Sequence, residues 1–278
     1  PFLLLLLLLL LFFPLLSLIS NGHGECATVA WVAARQEPEA LGEAGQAGFV
    51  AASNYRRPRV AELELRPGQG VVGNTCIAPS HAGADREVLL IDQGMLRAVL
   101  GRADASVGQN ITLREPLAVA AWCVGDLLAV APPGGPSDVA APLLRVTSCR
   151  RPCPKNNTAH GPGVQQAMMA RGYGGVFARV ERGGVVRPGA TLRVVQRPNP
   201  GFPAVHVHVL LYGPTPTCDP ALLHRLATLP WLEEPRYRAR ARELLAKAEH
   251  ASPWPRRLAL VGIALAALLV VNKALKRK

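Results

Sequence analysis

Between residues 27 and 212 the apolar residues come in short runs, most of them closed by a Gly- or Pro-containing turn. No feature of the chain restricts its fold more. A run of four to eight residues suits a single strand, whereas a helix needs roughly ten or more to lay an apolar stripe on a core. Thr28–Ala33, Arg86–Asp92, Asn110–Leu113, Leu127–Val130, Leu143–Thr147 and Val205–Tyr212 therefore read as strands. Val60–Leu65 alternates aliphatic and acidic residues, the two-residue period of a half-buried strand, and stops at the turn Arg66-Pro67-Gly68. Gly175–Glu181 and Thr191–Gln196 bracket Gly183-Gly184 and Arg187-Pro188-Gly189 as a strand pair. Gln36–Gly48 reads as a polar loop with a helical turn, and Gly94–Leu100 as a short helix. Many short strands joined by Gly/Pro turns indicate a mainly β fold, a barrel or compact sandwich with a few short helices.

The chain divides accordingly. Residues 1–24 form a hydrophobic leader, 27–198 the β domain, 199–252 a strand with a helical extension, and 256–275 an apolar tail. The leader fits a signal-peptide core, an anchor interrupted by Pro14, or a repetitive tract with no structural role. In the tail, Leu258–Val271 is flanked by Trp254, Arg256 and Arg257 before it and by Lys-rich sequence after it. Fourteen residues at ~1.5 Å each span ~21 Å, short of a ~30 Å bilayer core unless the segment extends past Asn272. The basic flanks and interfacial Trp predict a C-terminal membrane anchor, with a buried terminal helix as the alternative.

The formal charge of +12 is uneven. From Arg225 onward there are twelve Lys/Arg against four Glu, a net +8. This region has no aromatic-interleaved platform or reading motif, so a membrane surface accounts for the charge better than a specific nucleic-acid partner. Pro220–Leu229 and Pro235–His250 carry helical signals and read as an appendage, not a second catalytic domain.

The six cysteines form no Cys-x-x-Cys pair. Their sparse spacing suits a reducing compartment with one or two functional thiols better than a disulfide framework. The candidate is Cys153, in Ser148-Cys149-Arg150-Arg151-Pro152-Cys153-Pro154 after a strand. Flanking guanidinium groups favour a thiolate, and the prolines fix the backbone. Such a thiol suits a soft-metal ligand or a persulfide carrier. Cys149 is either its resolving partner or an ordinary strand-end cysteine. Arg86, Arg150 and Arg151 carry guanidinium groups of the kind that bind phosphate bidentately, with a solvated surface role as the alternative. Asn110 and Thr112 offer a polar pair for a ligand or a turn cap. His206 and His208, two apart in a predicted strand, share a face, more in keeping with a solvated surface than a metal pair. The sequons Asn110-Ile-Thr112 and Asn156-Asn-Thr158 lie where a glycan would obstruct this region, favouring a cytosol-facing domain.

The segment order resembles the MOSC domain, the module named after the C-terminal part of molybdenum cofactor sulfurases, and in style the stand-alone type of bacterial hydroxylaminopurine-resistance proteins. The resemblance rests on Gly68-Gln69-Gly70-Val71-Val72-Gly73-Asn74, Arg86–Asp92, Gly108-Gln109-Asn110-Ile111-Thr112, Val124-Gly125-Asp126-Leu127, Arg151-Pro152-Cys153 and Gly184–Ala190, in the family's order. It implies a MOSC-type β-barrel that binds the molybdenum cofactor, a molybdopterin. Cys153 would be the catalytic metal ligand, and Arg86, Asn110, Thr112 and Arg151 would contact the cofactor. At family level it also carries an association with pyridoxal phosphate.

The implied reaction is reduction of N-hydroxylated compounds with electrons from a donor protein. The alternatives are a persulfide carrier served by a cysteine desulfurase-type donor, and a non-catalytic adaptor at a membrane, with the domain facing the cytosol or an organelle matrix. Asn74, Gln109 and Ala190 stand where the family has acids, and Thr75-Cys76 replaces the usual residue and His, with His81 a possible substitute.

Overall fold

The computed structural model describes residues 26–44, 49–74, 83–115, 118–135, 140–172 and 174–251. The leader 1–24, the tail 256–275, Cys76 and His81 lie outside the described residues. Among the described residues no helix is long and apolar enough to cross a membrane.

Thirteen strands form among the described residues: β1 (Cys26–Ala33), β2 (Glu39–Leu41), β3 (Val50–Ser53), β4 (Arg59–Val60), β5 (Leu63–Arg66), β6 (Gly70–Val71), β7 (Val88–Asp92), β8 (Ile111–Leu113), β9 (Leu127–Ala131), β10 (Leu143–Cys149), β11 (Val176–Arg182), β12 (Gly184–Val186) and β13 (Thr191–Gln196). The main sheet runs β13-β9-β10-β11-β7-β8-β1, and a further β13–β1 pairing closes these seven into a barrel, with β4 appended to β1. Closure works because β1 is long enough to be shared. Its first residues, Cys26–Thr28, pair with β13, while Val29–Val32 pair with β8 across a register shift. A closed barrel leaves no unpaired edge.

All pairs are antiparallel except β7–β8, and parallel strands require a crossover. That crossover carries helix α1 (Gln93–Leu100), capped by the Asp92 carboxylate accepting from Met95 N at 2.8 Å and ended by Gly101 in the left-handed region. Strands β7 and β9 are buried along their whole length, which explains their unbroken aliphatic sequences.

Several sequence expectations are corrected. Val60–Leu65 is not one strand: β4 joins the barrel sheet, while β5 pairs with β6 and β12 in a separate small sheet. Strands β11 and β13 are not partners, for β11 lies between β10 and β7, and the intervening Gly184–Val186 is itself a strand on β5. The loop at Gln36–Gly48 contributes β2, paired with β3.

Helices α2 (Lys155–His160) and α3 (Val164–Ala170) follow β10, and α4 (Ala204–Tyr212), α5 (Pro220–Thr228) and α6 (Ala239–Ala251) follow the barrel. The predicted strand Val205–Tyr212 is α4. Its buried residues, Ala204, Val207, His208 and Leu211, have the helical i, i+3, i+4, i+7 spacing. β-branched Val at alternate positions mimics a strand, but helix packing against the barrel overrides that local preference.

Candidate functional site

The cysteine loop is an extension of β10. Arg150 N donates to Gly175 O at 2.7 Å and Gly174 N returns a bond to Arg150 O at 3.1 Å, so pairing continues past the strand end. Cys153 O then accepts from Asn156 N at 2.9 Å as α2 begins. These bonds place Cys153, half-buried, on the wall of a cleft of about 1060 Å³. Cys149 is sealed at 1% exposure, and burial pushes its thiol up to about 12. It sits at the strand end in the core, although it also borders the cleft.

The cleft is strongly basic: Arg57, Arg86, Arg150, Arg151, Lys155, Arg236 and Arg240 line it, against the acids Glu87 and Glu243. Burial also pushes the Glu87 carboxyl above its usual range, although Val180 N donates to it at 2.6 Å. Arg150 is nine-tenths buried, with its guanidinium 5.6 Å from the centre of the Tyr55 ring. Its Nη1 has no hydrogen-bond partner among the described residues. The Tyr55 hydroxyl donates to Asn156 Oδ1, and burial first, then the nearby Cys153, raises the phenol to about 12 despite Arg150.

Other predicted residues have structural duties. Arg86 lines the cleft while ion-pairing Glu233, and its guanidinium lies 5.3 Å from the Phe177 ring. Asn110 also lines it, but both ends of its amide are used: Oδ1 accepts from Leu89 N at 3.0 Å and Nδ2 donates to Ala33 O at 3.3 Å. Thr112 is not brought to the cleft. It is fully buried in β8, its hydroxyl accepting from Gln109 Nε2 at 3.3 Å.

His206 and His208 do not share a face, since a two-residue step in a helix turns the side chain to the other side. His206 is exposed and His208 buried. Among the described residues no group of three or more His, Cys, Asp or Glu is placed to hold a metal ion. Both sequon asparagines, Asn110 and Asn156, are buried, so the folded chain offers neither to a glycan.

The acid-to-neutral replacements are mostly structural. Gln109 Oε1 accepts from Val107 N at 2.7 Å while Nε2 donates to Ala105 O at 2.9 Å, a pattern that uses an amide's donor and acceptor together. Ala190 is buried in the core cluster. Only Asn74 lines the cleft, its Oδ1 accepting from Arg35 N at 3.2 Å.

The sequence reading missed Tyr55 and Arg57, from the segment after β3, and the whole C-terminal contribution of Tyr212, Arg236, Tyr237 and Arg240. A signal was present. Arginines at 236, 238, 240 and 242 separate, at helical spacing, into two i, i+4 pairs. Arg236 and Arg240 reach the cleft, while Arg238 and Arg242 pair with Glu234.

Residues 78–193, which hold β7 to β12 with the cysteine loop and the first half of β13, match the family model described as the MOSC domain. Over that stretch, less than half of the chain, the sequence is a MOSC match. The fold is shared with YiiM from Geobacillus stearothermophilus, at TM-score 0.57 and 18% identity over 79% of this chain and 99% of that one. A structure titled only as a hypothetical protein matches at TM-score 0.57 and 18% identity, covering 82% of this chain and 91% of that one. YiiM from Escherichia coli matches at TM-score 0.50 and 19% identity, over 78% and 94%. These likenesses show the fold, and their coverage extends beyond the MOSC match. No curated protein matches the chain.

Proposed function

We propose that the cleft binds the molybdenum cofactor, with Cys153 as the protein's metal ligand, and that the chain reduces N-hydroxylated compounds there. The observation that carries this reading is Arg150. A buried polar donor left without a partner costs about 1–3 kcal/mol, and more when charged; an anion entering the cleft removes that cost. A phosphate beside a soft thiolate matches the pair Arg150 and Cys153 in charge and in ligand chemistry, so the residues present fit the group. When bound, the cofactor supplies a two-electron couple. The rest belongs to the chain: Arg150 holds the anionic end, and Tyr55, fixed by Asn156, stays a neutral phenol next to the thiol.

The reaction takes two electrons and two protons. The N–O bond breaks, an N–H bond forms, and the hydroxyl oxygen leaves as water. The electrons come from a donor protein, the partner this reading requires.

A second reading is favoured by the half-exposure of Cys153 beside a sealed Cys149. The Cys153 thiolate attacks the outer sulfur of a donor persulfide, the donor S–S bond breaks, a new S–S bond forms on Cys153, and the donor leaves as thiolate. A cysteine desulfurase is the corresponding partner.

One experiment tests both readings. The full chain is purified from cells replete in the cofactor and assayed for molybdenum, pterin and sulfane sulfur, beside Cys153→Ser and Arg150→Met. Near-stoichiometric metal and pterin are expected, with metal lost in Cys153→Ser and pterin retention at least tenfold weaker in Arg150→Met. Persulfide on Cys153 without pterin selects the carrier, and a chain holding neither overturns both.

A further inference from the structure

The cleft has a second cluster of cations, apart from Arg150, around Tyr212 at the end of α4. The Arg151 guanidinium lies 5.5 Å from the Tyr212 ring centre and that of Arg240 lies 5.9 Å away. The Tyr212 hydroxyl donates to Arg236 O at 3.0 Å, which ties the third arginine's backbone to the same ring. The ring is itself fixed from behind, stacked on His208 at 5.6 Å and edge-on to Tyr237 at 5.3 Å. Three arginines from two segments, Arg151 after β10 and the i, i+4 pair Arg236 and Arg240, therefore meet at one aromatic post, and all of them line the cleft.

The acids nearby are shared with other groups. Glu233 is engaged by Arg86 and by Ser148 Oγ at 2.8 Å. Glu243 is divided between Arg240 at 2.8 Å and Lys247 at 2.5 Å. Glu87, the other acid on the cleft wall, accepts from Val180 N. Arg236 is held below its usual range by burial first and then by Arg86, with Arg151 of the cluster adding a smaller effect in the same direction. Planar guanidinium groups on a rigid aromatic support are suited to a carboxylate or phosphate, because little freedom remains to be lost on binding.

We propose that the Tyr212 wall, through Arg151, Arg236 and Arg240, is a subsite for an oxyanion on the substrate, so that the preferred N-hydroxylated compounds carry a carboxylate or phosphate. This inference rests on the reductase reading for its chemistry but not for its binding.

The test compares 4-carboxybenzamidoxime with its uncharged methyl ester, on full-length protein driven by a reduced viologen dye. The carboxylate is expected to be favoured at least tenfold in kcat/KM, with a KM that rises with salt. In Arg151→Gln/Arg240→Gln the carboxylate-to-ester ratio falls toward one, while Arg151→Lys/Arg240→Lys keeps most of it. The glutamine pair also removes the surface ion pair to Glu243, of small worth, and the Arg240 bond to Leu211 O at 3.3 Å, whereas Arg151→Gln alone leaves both in place and carries the same test. Equal rates for the two compounds in the wild type, or an unchanged ratio in the variants, overturn the subsite. Reduction of neither compound defeats the reductase reading instead, and the subsite is then read by calorimetric titration with 4-carboxybenzamidoxime. Binding weakened at least tenfold in the glutamine variant supports it, and equal affinity or no wild-type binding overturns it.

Discussion

Glu233 and Arg86 form an ion pair inside the protein, with side chains only 1% and 6% exposed, that fastens the C-terminal segment to the barrel beside the cleft. Ser148 Oγ donates to the second Glu233 oxygen at 2.8 Å, and Glu233 N donates to Thr147 O at 3.3 Å. The segment that carries Arg236, Tyr237 and Arg240 is thus held to the end of β10, the strand that leads to Cys153.

Removing one partner of such a pair leaves a buried charge uncompensated, at a cost of about 3–5 kcal/mol. Glu233→Ala is expected to lose stability on that scale in urea unfolding. Arg86→Met/Glu233→Leu, which removes both charges, should lose distinctly less. If the double variant is as unstable as the single, the pair is not what holds the segment.

The thiols should separate in an alkylation experiment. Cys149 is sealed in the core with its thiol raised to about 12, and Cys123 is buried with its thiol raised to about 11 by burial and then by Asp126. Cys153 faces the cleft. Iodoacetamide treatment of the native chain at pH 8 should modify Cys153 at least tenfold faster than Cys149 or Cys123, as read by peptide mass spectrometry. Comparable labelling of Cys149 would show that the end of β10 opens more readily than its bonds to Gly172–Gly175 imply.

Gly125 turns through φ +86, and a Cβ there would stand 2.8 Å from Trp231 Cδ1 and 2.9 Å from Asn199 Nδ2. The neighbouring Asp126 carboxylate accepts from Cys123 N at 2.9 Å and is bridged by Arg197 at 2.9 Å. Val124-Gly125-Asp126 is therefore a structural corner. Gly125→Ala is expected to destabilise the chain by roughly 1–3 kcal/mol, from backbone strain and the displaced Trp231, while leaving metal content per folded chain unchanged. A neutral effect on the unfolding midpoint would contradict the crowding.

The barrel was legible because its strands have local signals: aliphatic runs at β7, β9 and β10, and turns that require glycine. The position of Cys153 after a strand was legible for the same reason. What the sequence hid was non-local. Alternating Val and His at 205–209 satisfy a strand's period, and only packing on the barrel makes them helix α4. Arg236 and Arg240 read as tail charge, because nothing local says that Glu233 pins this segment beside β10. Thr112 and Asn110 carried the right chemistry for a ligand, yet sheet closure uses the first as buried packing and the second as a backbone bridge.

The aromatic support behind the cleft predicts a pH response. Tyr237 donates to Cys149 O at 2.6 Å, so its single proton is committed and His208 Nδ1, 2.7 Å from the hydroxyl, must donate to it. That bond keeps a proton on Nδ1, so the neutral ring is the Nδ1–H tautomer. Burial first, and then Arg151, lowers His208 to about 4, against about 6.5 in an unfolded chain. Between these values the unfolded state binds more protons than the folded one, so stability falls as pH falls. The contribution is complete above about pH 6.5, is lost progressively down to about pH 4, and is at most roughly 3 kcal/mol. Urea midpoints measured from pH 7.5 to 4 should show this decline, and His208→Gln, which keeps a donor but cannot titrate, should flatten it. An equally steep decline in His208→Gln would assign the acid sensitivity to other groups.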